Sequence, residues 1–212
     1  MIRTIQAADA AQYPFLISQM HRLRAEVFAD RLGWDVEVRD GWERDRYDDH
    51  NPLYLLSTTP GGRVEGCLRL LPTTGPNMLR DTFGALLDGE TVRSPLVWES
   101  SRFCVAKSAL GDRLPSGANR VTAELLQGMC EVGILAGLDA VVTVSDPLVK
   151  RIVEKLGARG EVLGTPKRFG KVTAYAGLYE TNDEQLARLR ERSGLASSVL
   201  ERAAEERVAT AA

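Results

Sequence analysis

The chain has 212 residues, 44% of them hydrophobic and 26% charged, which is the balance of a globular protein of about one domain. Its formal net charge of −2 argues against a general nucleic-acid binder, because such proteins carry a basic surface. No apolar run approaches the length of a membrane span and no N-terminal segment resembles a signal peptide, so we expect a cytoplasmic protein without a membrane or nucleic-acid partner.

The apolar pattern predicts alternating strands and helices along the first 180 residues. Leu16, Met20, Leu23 and Val27 recur at helical spacing and predict a helix from about residue 14 to 32, and Gly33 suits its end. Further elements are predicted, in chain order, as strands at 1–7, 52–59 and 64–72, a short helix at 77–87, a strand at 95–105, a helix at 119–136, a strand at 138–146, a helix to about 156, and strands at 158–164 and 172–180.

This order of elements predicts an α/β fold, a single domain in which helices flank both faces of a mixed β-sheet. From Thr181 the sequence is rich in Ala, Glu and Arg with weak apolar periodicity, which favours one or two exposed helices and a frayed end. We therefore divide the chain into a domain at 1–180 and a helical C-terminal extension at 181–212.

Residue types that bind metals or form disulfides are few. Cys67, Cys104 and Cys130 lack a CxxC spacing and are interpreted as reduced, buried thiols. His21 and His50 are too scattered to hold a metal, so we expect no metal site and interpret each as a surface or packing residue.

The polar segment 33–51 is long for a loop, which indicates a functional role. It combines Trp42 and Tyr47 with a cluster of acids, and such a set suits a small cationic, aromatic ligand. A solvated loop is the alternative interpretation. The acids are Asp40, Glu43, Asp45, Asp48 and Asp49.

Two charged residues interrupt the strand VWESSRFCV. Glu99 and Arg102 are costly in a central strand unless they are paired or functional. Strand alternation places them on opposite faces, so a shared site requires a β-bulge near Ser100–Ser101. A structural ion pair remains the alternative. Arg69 is a similar charged residue in the strand at 64–72, and its alternative interpretation is a structural partner of a buried carboxylate.

The segment 150–171 contains seven basic and two acidic residues, including Lys150 and Arg151. It is interpreted either as a solvated helix face or as a surface that binds a phosphate or an acidic protein. The sequence has no GxSxG, no P-loop and no GxGxxG after a strand, and the loop RLPSGAN lacks the second glycine of a phosphate-binding turn.

These residues together resemble the LuxI-type acyl-homoserine lactone synthases, over about residues 15–180. The matching stretches are RLRAEVFADRLGW, DRYDDHNPLYLL, GCLRLLPT, MLRDTF and WESSRFCV. The residues that stand in the family's order and spacing are Arg24, Phe28, Trp34, Asp45, Asp48, Arg69, Phe83, Glu99 and Arg102.

The resemblance implies a fold like that of the GNAT acyltransferases. It also implies a reaction in which S-adenosylmethionine is consumed as a substrate, not as a cofactor, together with an acyl thioester on acyl carrier protein or coenzyme A. The products are an N-acyl-homoserine lactone, which is a quorum-sensing signal, 5′-methylthioadenosine and the free thiol. The alternatives are an N-acetyltransferase that uses acetyl-CoA on another amine, and a ligand-sensing module without enzyme activity.

Roles follow for the matched residues. Asp45 and Asp48 are candidates to bind the ammonium of S-adenosylmethionine, Arg24 or Arg102 to bind its carboxylate, and Glu99 to act as general base. The other acids of the segment, Asp40, Glu43 and Asp49, are interpreted as solvated. Phe28 and Trp34 are candidates to surround the adenosyl group, and Arg69 and Phe83 to lie near the substrates. An acyl tunnel is expected between strands 95–105 and 138–146, with Ser101, Phe103 and Thr143 along it. Lys150 and Arg151 are candidates to bind the carrier or its phosphopantetheine.

Overall fold

A seven-stranded mixed sheet forms the centre of the protein, whose structure, a computed structural model, describes residues 1–201. The strands are β1 (Ile2–Gln6), β2 (Val38–Arg39), β3 (Trp42–Glu43), β4 (Leu53–Thr58), β5 (Val64–Pro72), β6 (Val97–Val105), β7 (Ala140–Ser145), β8 (Glu161–Phe169) and β9 (Val172–Glu180). The large sheet has the order β1-β4-β5-β6-β7-β9-β8, and β2 pairs with β3 in a separate hairpin. The pair β6–β7 is parallel, and the other pairs of the large sheet are antiparallel.

Helices cover both faces of this sheet, as the sequence predicts. They are α1 (Pro14–Arg24), α2 (Met78–Asp81), α3 (Arg120–Leu135), α4 (Pro147–Lys155) and α5 (Asp183–Ser193). Asn119, Asp146 and Asn182 accept hydrogen bonds from the first turns of α3, α4 and α5, which fixes where these helices begin. None of the helices within residues 1–201 is long and apolar enough to cross a membrane.

The helix predicted at 14–32 consists of two parts. α1 ends at Arg24, and the chain continues as a π-helical turn over Ala25–Arg31 before Gly33 adopts a φ of 63°. Such wider turns are rare and often lie at functional sites.

Strand β5 shows how the two helical layers are arranged. Gly66 and Arg69 point to opposite faces because side chains alternate along a strand. A Cβ atom at Gly66 would lie 2.4 Å from Val121 of α3, so α3 packs on that face. Arg69 and the side chain of Arg24 from α1 share the carboxylate of Asp48 on the other face.

Strands β6 and β7 separate at the point where the sequence predicts an opening. Their paired residues run from Val97↔Ala140 to Ser100↔Thr143. Beyond this point β6 pairs with β5, and β7 pairs with β9. A gap between two parallel strands therefore opens beside Ser101.

A β-bulge in β6 brings Arg102 to the same face as Glu99. Opposite this segment, Cys67 pairs with Cys104 and Arg69 pairs with Ser101, so Arg102 and Phe103 together face one residue of β5. Arg102 has a φ of 55°. The predicted bulge is confirmed, but it lies at Arg102–Phe103 and not at Ser100–Ser101.

The C-terminal segment is more buried than its composition indicates. α5 packs on α3, and Leu186 and Leu189 of α5 are buried. Val199 and Leu200 are also buried, and Ile2 N–H donates to the Val199 carbonyl at 2.7 Å. The expectation of exposed helices is therefore wrong for this part of the chain. The boundary at residue 180 stays a prediction, and residues 202–212 of the predicted extension lie outside the described residues.

Glu131 of α3 fastens this segment to the domain. Its buried carboxylate accepts hydrogen bonds from Arg190 at 3.0 Å, from the Ser198 hydroxyl at 3.0 Å and from the Val199 N–H at 3.1 Å. The last described residues thereby cover the outer edge of β1.

Candidate active site

Three arginines and three carboxylates lie close together on the α1 face of the sheet. They come from α1, from β3 and the segment after it, from β5 and from the bulge of β6. They form what we call the ion network, whose formal charges cancel. Its members are Arg24, Arg69, Arg102, Glu43, Asp45 and Asp48.

Arg24 is fully buried and saturated by acids. Its two terminal nitrogens each donate to an oxygen of Asp48 at 2.8 Å, and Nε donates to Glu43 at 2.5 Å. Bidentate guanidinium–carboxylate pairs of this kind are strong and directional. The expectation that this fork is free for a substrate carboxylate is therefore corrected, since Asp48 occupies it.

Asp48 is buried and bridges Arg24 and Arg69. It accepts hydrogen bonds from Arg69 at 2.9 Å and from the Tyr54 hydroxyl at 2.9 Å. Burial alone would raise the pKa of Asp48, but the hydrogen bonds and charges of Arg24 and Arg69 outweigh it and hold the pKa far below its usual range. Asp48 thus holds the arginines in place, and its burial keeps it from a ligand that approaches from solvent, in contrast to its predicted role with the ammonium.

Asp45 and Arg102 form the accessible side of the ion network. Their side chains are 17% and 8% exposed, and Arg102 Nη2 lies 2.7 Å from Asp45 Oδ2. Arg69 also binds Asp45 through both terminal nitrogens. Burial raises the pKa of Asp45, but the hydrogen bonds and charges of Arg69 and Arg102 outweigh it and lower the pKa. Asp45 is therefore a charged acceptor near solvent.

Glu43 is a member that the sequence interpretation misses. Asp40, Glu43 and Asp49 were all expected to be solvated, but Glu43 is fully buried. It receives Arg24 on one oxygen and Arg102 on the other, the latter at 3.0 Å. A count of charges does not find it, because the matched residues already hold three arginines and three carboxylates, and Glu43 stands in the sequence among acids that are exposed.

Glu99 lies beside the ion network and closes the N-terminus of α2. Its oxygens accept hydrogen bonds from Met78 N–H at 3.0 Å and from Leu79 N–H at 2.5 Å. Burial raises the pKa of Glu99, and these two backbone hydrogen bonds only partly offset that effect. A buried carboxylate with a raised pKa has the property expected of a general base that works near neutral pH.

Two aromatic side chains stand over the accessible side of the ion network. Phe28 and Trp34 stack on each other with ring centroids 5.1 Å apart, and the Arg102 guanidinium lies 5.4 Å from the Phe28 ring. Phe28 is buried, whereas Trp34 is 47% exposed. The outer face of Trp34 is thus presented to solvent. The role of both rings as walls of a ligand site stays a prediction; the structure leaves Trp34 accessible to a ligand and places Phe28 behind it.

The residues predicted to contact the acyl chain are distributed around the gap between β6 and β7. Ser101 accepts a hydrogen bond from Arg69 Nε at 3.1 Å and lies on the face of Glu99. Thr143 lies on the opposite face, because its neighbours Val142 and Val144 pack toward α2. Phe103 also lies on the α3 face, so the structure does not bring it or Thr143 to the ion network.

Phe83 belongs to a separate apolar cluster below α2. It meets Phe169 edge to face at 5.0 Å and packs with Leu79, Val142 and Ala176. Phe83 is therefore a packing residue in this structure, and it lies on the face of the sheet that carries Glu99.

Helix α4 carries the two residues predicted to bind the carrier. None of its residues is buried, and Leu148 and Ile152 are 65% and 40% exposed. Lys150 pairs with Glu154 at 2.8 Å, and Arg151 is exposed. The helix thus offers an apolar and basic surface. Within residues 1–201, no cluster of His, Cys, Asp and Glu has the arrangement of a metal site.

Comparison with known proteins agrees with this geometry. The sequence profile described as autoinducer synthase matches residues 10–189. The acyl-homoserine-lactone synthase of Agrobacterium fabrum strain C58 is 42% identical over 177 residues, which cover 83% of this chain and 84% of that protein.

Solved structures show the same fold. The acyl-homoserine lactone synthase LasI superposes with a TM-score of 0.79 at 33% identity, covering 90% of this chain and 94% of LasI. BjaI, a CoA-dependent synthase solved with S-adenosylmethionine and isopentyl-CoA, has a TM-score of 0.84 at 26% identity, with 98% of both chains covered. An acyl-CoA N-acyltransferase from Pseudomonas aeruginosa shares the fold alone, with a TM-score of 0.52 at 15% identity over 84% of this chain and 97% of that one.

The expectation of a GNAT-like acyltransferase fold is therefore confirmed. The chain belongs to the autoinducer synthase family and is an acyltransferase of the acyl-homoserine-lactone synthase type.

Proposed function

We propose that the protein condenses S-adenosylmethionine with an acyl thioester to give an N-acyl-L-homoserine lactone, a quorum-sensing signal, and 5′-methylthioadenosine. The observation that carries this proposal is the accessible side of the ion network, where Asp45 pairs with Arg102, Arg102 lies against the Phe28 ring, and the partly exposed Trp34 stacks on Phe28. S-adenosylmethionine brings an ammonium, a carboxylate, an aromatic base and a sulfonium, and Asp45, Arg102 and Trp34 match them. The complex of BjaI with S-adenosylmethionine and isopentyl-CoA supports both substrates.

The amino-acid end of S-adenosylmethionine is placed against the accessible pair. Asp45 accepts the ammonium, and Arg102 binds the carboxylate through Nη1, whose contact within the described residues is the Met78 sulfur at 3.2 Å. Arg24, Arg69 and Asp48 hold this pair in position from below.

The first step is acyl transfer to nitrogen. Glu99 removes a proton from the ammonium, directly or through a water molecule, and the free amine attacks the thioester carbonyl. The new C–N bond forms as the C–S bond breaks, and the leaving thiolate takes up the second proton that the nitrogen releases on becoming an amide. Backbone N–H groups released from the ladder at the bulge of Arg102 stabilise the oxyanion.

The second step closes the ring. The carboxylate of the acylated substrate attacks its own γ-carbon, a C–O bond forms, and the C–S bond of the sulfonium breaks. Methylthioadenosine leaves as a neutral thioether, so the electron pair needs no acceptor from the protein. Here the site contributes mainly by holding a folded substrate conformation. The reaction uses S-adenosylmethionine as a substrate, and no cofactor enters the proposal.

The acyl chain enters the gap between β6 and β7, with Ser101 and Thr143 at its two sides and Phe83 and Phe103 in the apolar walls. The carrier, acyl carrier protein or coenzyme A, brings an anionic phosphopantetheine. Lys150 and Arg151 on α4 supply the positive charge for it.

We place the reaction in the cytoplasm, where thiols stay reduced. Support comes from the three cysteines, which are all free and buried. Cys67 and Cys104 lie with their sulfurs 3.3 Å apart as thiols.

The test is mass spectrometry of the purified protein with S-adenosylmethionine and a panel of acyl carrier protein and acyl-CoA donors. Methylthioadenosine and an N-acyl-homoserine lactone appearing together with one donor establish the reaction and the donor. Consumption of acetyl-CoA with an amine, without methylthioadenosine, would instead indicate the alternative N-acetyltransferase.

The role of Glu99 is tested by Glu99→Gln beside Glu90→Gln, a change of an exposed acid. We expect loss of amide formation in the first variant alone. The glutamine amide also faces the α2 N–H groups, so the thermal midpoint and S-adenosylmethionine binding are measured on both proteins. Near-normal turnover of Glu99→Gln would refute the assignment of the base.

A further inference from the structure

His21 lies directly beneath the ion network. It is 4% exposed, and it stands one turn before Arg24 on α1, so the two side chains share a face of the helix. The sequence interpretation treats it as a surface or packing residue, and the mechanism above gives it no task.

The imidazole of His21 holds both residues of β3. Nδ1 lies 2.8 Å from the carbonyl oxygen of Glu43, and because a carbonyl can only accept, Nδ1 carries the hydrogen. The ring stacks on Trp42 with centroids 5.3 Å apart and planes 12° apart. His21 thus holds the backbone and the aromatic residue of β3 on α1, in addition to the ion pair between Arg24 and the Glu43 side chain.

This anchor is needed because the hairpin has little support of its own. Within residues 1–201, β2 and β3 pair with each other and not with the large sheet. Each strand has two residues, and an isolated hairpin is at best marginally stable in water. Its attachment to α1 therefore decides where the Glu43 carboxylate lies.

A second contact links His21 to the other acid that binds Arg24. The ring meets Tyr54 edge to face at 6.4 Å, and the Tyr54 hydroxyl donates to Asp48 at 2.9 Å. His21 therefore supports Glu43 through a hydrogen bond and Asp48 through packing.

We propose that His21 is a positioning residue for the amino-acid end of S-adenosylmethionine: it seats the β2–β3 hairpin on α1 so that Glu43 orients Arg102. Arg102 Nε reaches Glu43 at 3.0 Å, and a shift of Glu43 turns the guanidinium away from the substrate carboxylate. This inference rests on the proposed function for the identity of the substrate. The acyl donor approaches from the β6–β7 gap and is not affected.

Two amide substitutions test the hydrogen bond. In His21→Asn the amide nitrogen occupies the place of Nδ1, whereas in His21→Gln it lies one atom further out, near the place of Nε2, and cannot reach the Glu43 carbonyl from the same rotamer. Both variants remove the imidazole stack on Trp42, so their difference isolates the hydrogen bond.

We expect His21→Gln to raise KM for S-adenosylmethionine about tenfold, with KM for the acyl donor and kcat changed less than about threefold, because the lost interaction acts on binding of one substrate. His21→Asn should remain within about threefold of the wild type. Hydrogen exchange of the Arg44 amide, which donates to the Glu37 carbonyl across the hairpin at 3.4 Å, should become faster in His21→Gln and stay near wild type in His21→Asn.

Equal KM values for both variants and the wild type, or unchanged exchange in His21→Gln, would overturn the proposal. If KM for S-adenosylmethionine and KM for the acyl donor rose equally in both variants, together with a lower thermal midpoint, His21 would be a core-packing residue only. The exchange experiment needs no turnover, so a wild-type protein that makes no lactone would reject the proposed function without deciding the role of His21 in the hairpin.

Discussion

Replacing Glu43 by Gln should destabilise the protein strongly, although Glu43 lies in a stretch that reads as a solvated loop. The change leaves two guanidinium groups facing one neutral amide and gives the ion network a net positive charge. Glu43 accepts hydrogen bonds from Arg24 at 2.5 Å and Arg102 at 3.0 Å. Bonds to charged groups contribute about 1.5–3 kcal/mol each, and removing one member of a buried ion pair costs about 3–5 kcal/mol.

Because Gln retains one acceptor oxygen, we expect a loss of about 3–4 kcal/mol in the free energy of unfolding, from the lower part of that range. For a chain of this length, such a loss lowers the thermal midpoint by about 10 °C. The assay is thermal unfolding followed by circular dichroism, with urea unfolding as a second measure of the free energy.

The matched control is Asp49→Asn, in the same stretch. Asp49 pairs with Arg44 at 2.5 Å, but both side chains are more than half exposed, at 64% and 57%. Such pairs contribute little, so the midpoint should fall by less than about 2 °C. A Glu43→Gln variant as stable as Asp49→Asn would refute the reasoning that burial of the ion network makes its charge balance necessary.

The acid limb of the pH profile of kcat/KM should lie above the pH range of an ordinary glutamate. Burial raises the pKa of Glu99, and the base is lost as the pH falls through that raised value. A limb at about pH 4 or below, the range of a model carboxyl, would contradict this. Gly164→Ala should lower the free energy of unfolding by about 1–3 kcal/mol more than Gly62→Ala. Both glycines have positive φ, but a Cβ at Gly164 would lie 2.1 Å from the carbonyl oxygen of Leu86, and one at Gly62 would meet nothing within 4 Å. Chemical denaturation measures the free energy of unfolding, and an equal decrease in both variants would contradict the close contact. Arg151→Glu should raise KM for an acyl carrier protein donor about 3–10-fold at low salt and less at high salt, because an exposed charge acts mainly on the approach of an acidic partner. Steady-state kinetics at two salt concentrations measure this change. An unchanged KM would show that Arg151 does not bind the carrier.

The sequence predicts most elements of the fold because their apolar periods are regular. The strands at 53–58, 64–72 and 97–105 and the helix at 120–135 lie within a few residues of their predicted bounds. The need to bring Glu99 and Arg102 to one face predicts the bulge in β6, and the structure places it two residues later than the predicted position. Arg102 takes the positive φ itself, and no glycine marks that position in the sequence.

Other parts of the site depend on contacts between distant segments, which a local pattern does not contain. Glu43 becomes buried because β3 is held on α1 through His21. The Arg24 fork is filled because Asp48 approaches it from 24 residues away. In the C-terminal segment, the two apolar residues Val199 and Leu200 do not form a recognisable hydrophobic periodicity. They become core residues because they lie against β1.

The attachment of the last described residues to Glu131 has a consequence for synthesis of the chain on the ribosome. Gln127 of the same helix donates to Glu131, but the other three partners follow Glu131 by 59 to 68 residues. α3 therefore leaves the exit tunnel long before its buried carboxylate can be fully satisfied. The nascent protein also keeps the β1 edge open until Val199 emerges. Such unpaired edges are sites of misassociation. A translation product that stops before Ser198 would therefore be a target for chaperones and proteases, even with every residue of the ion network already made.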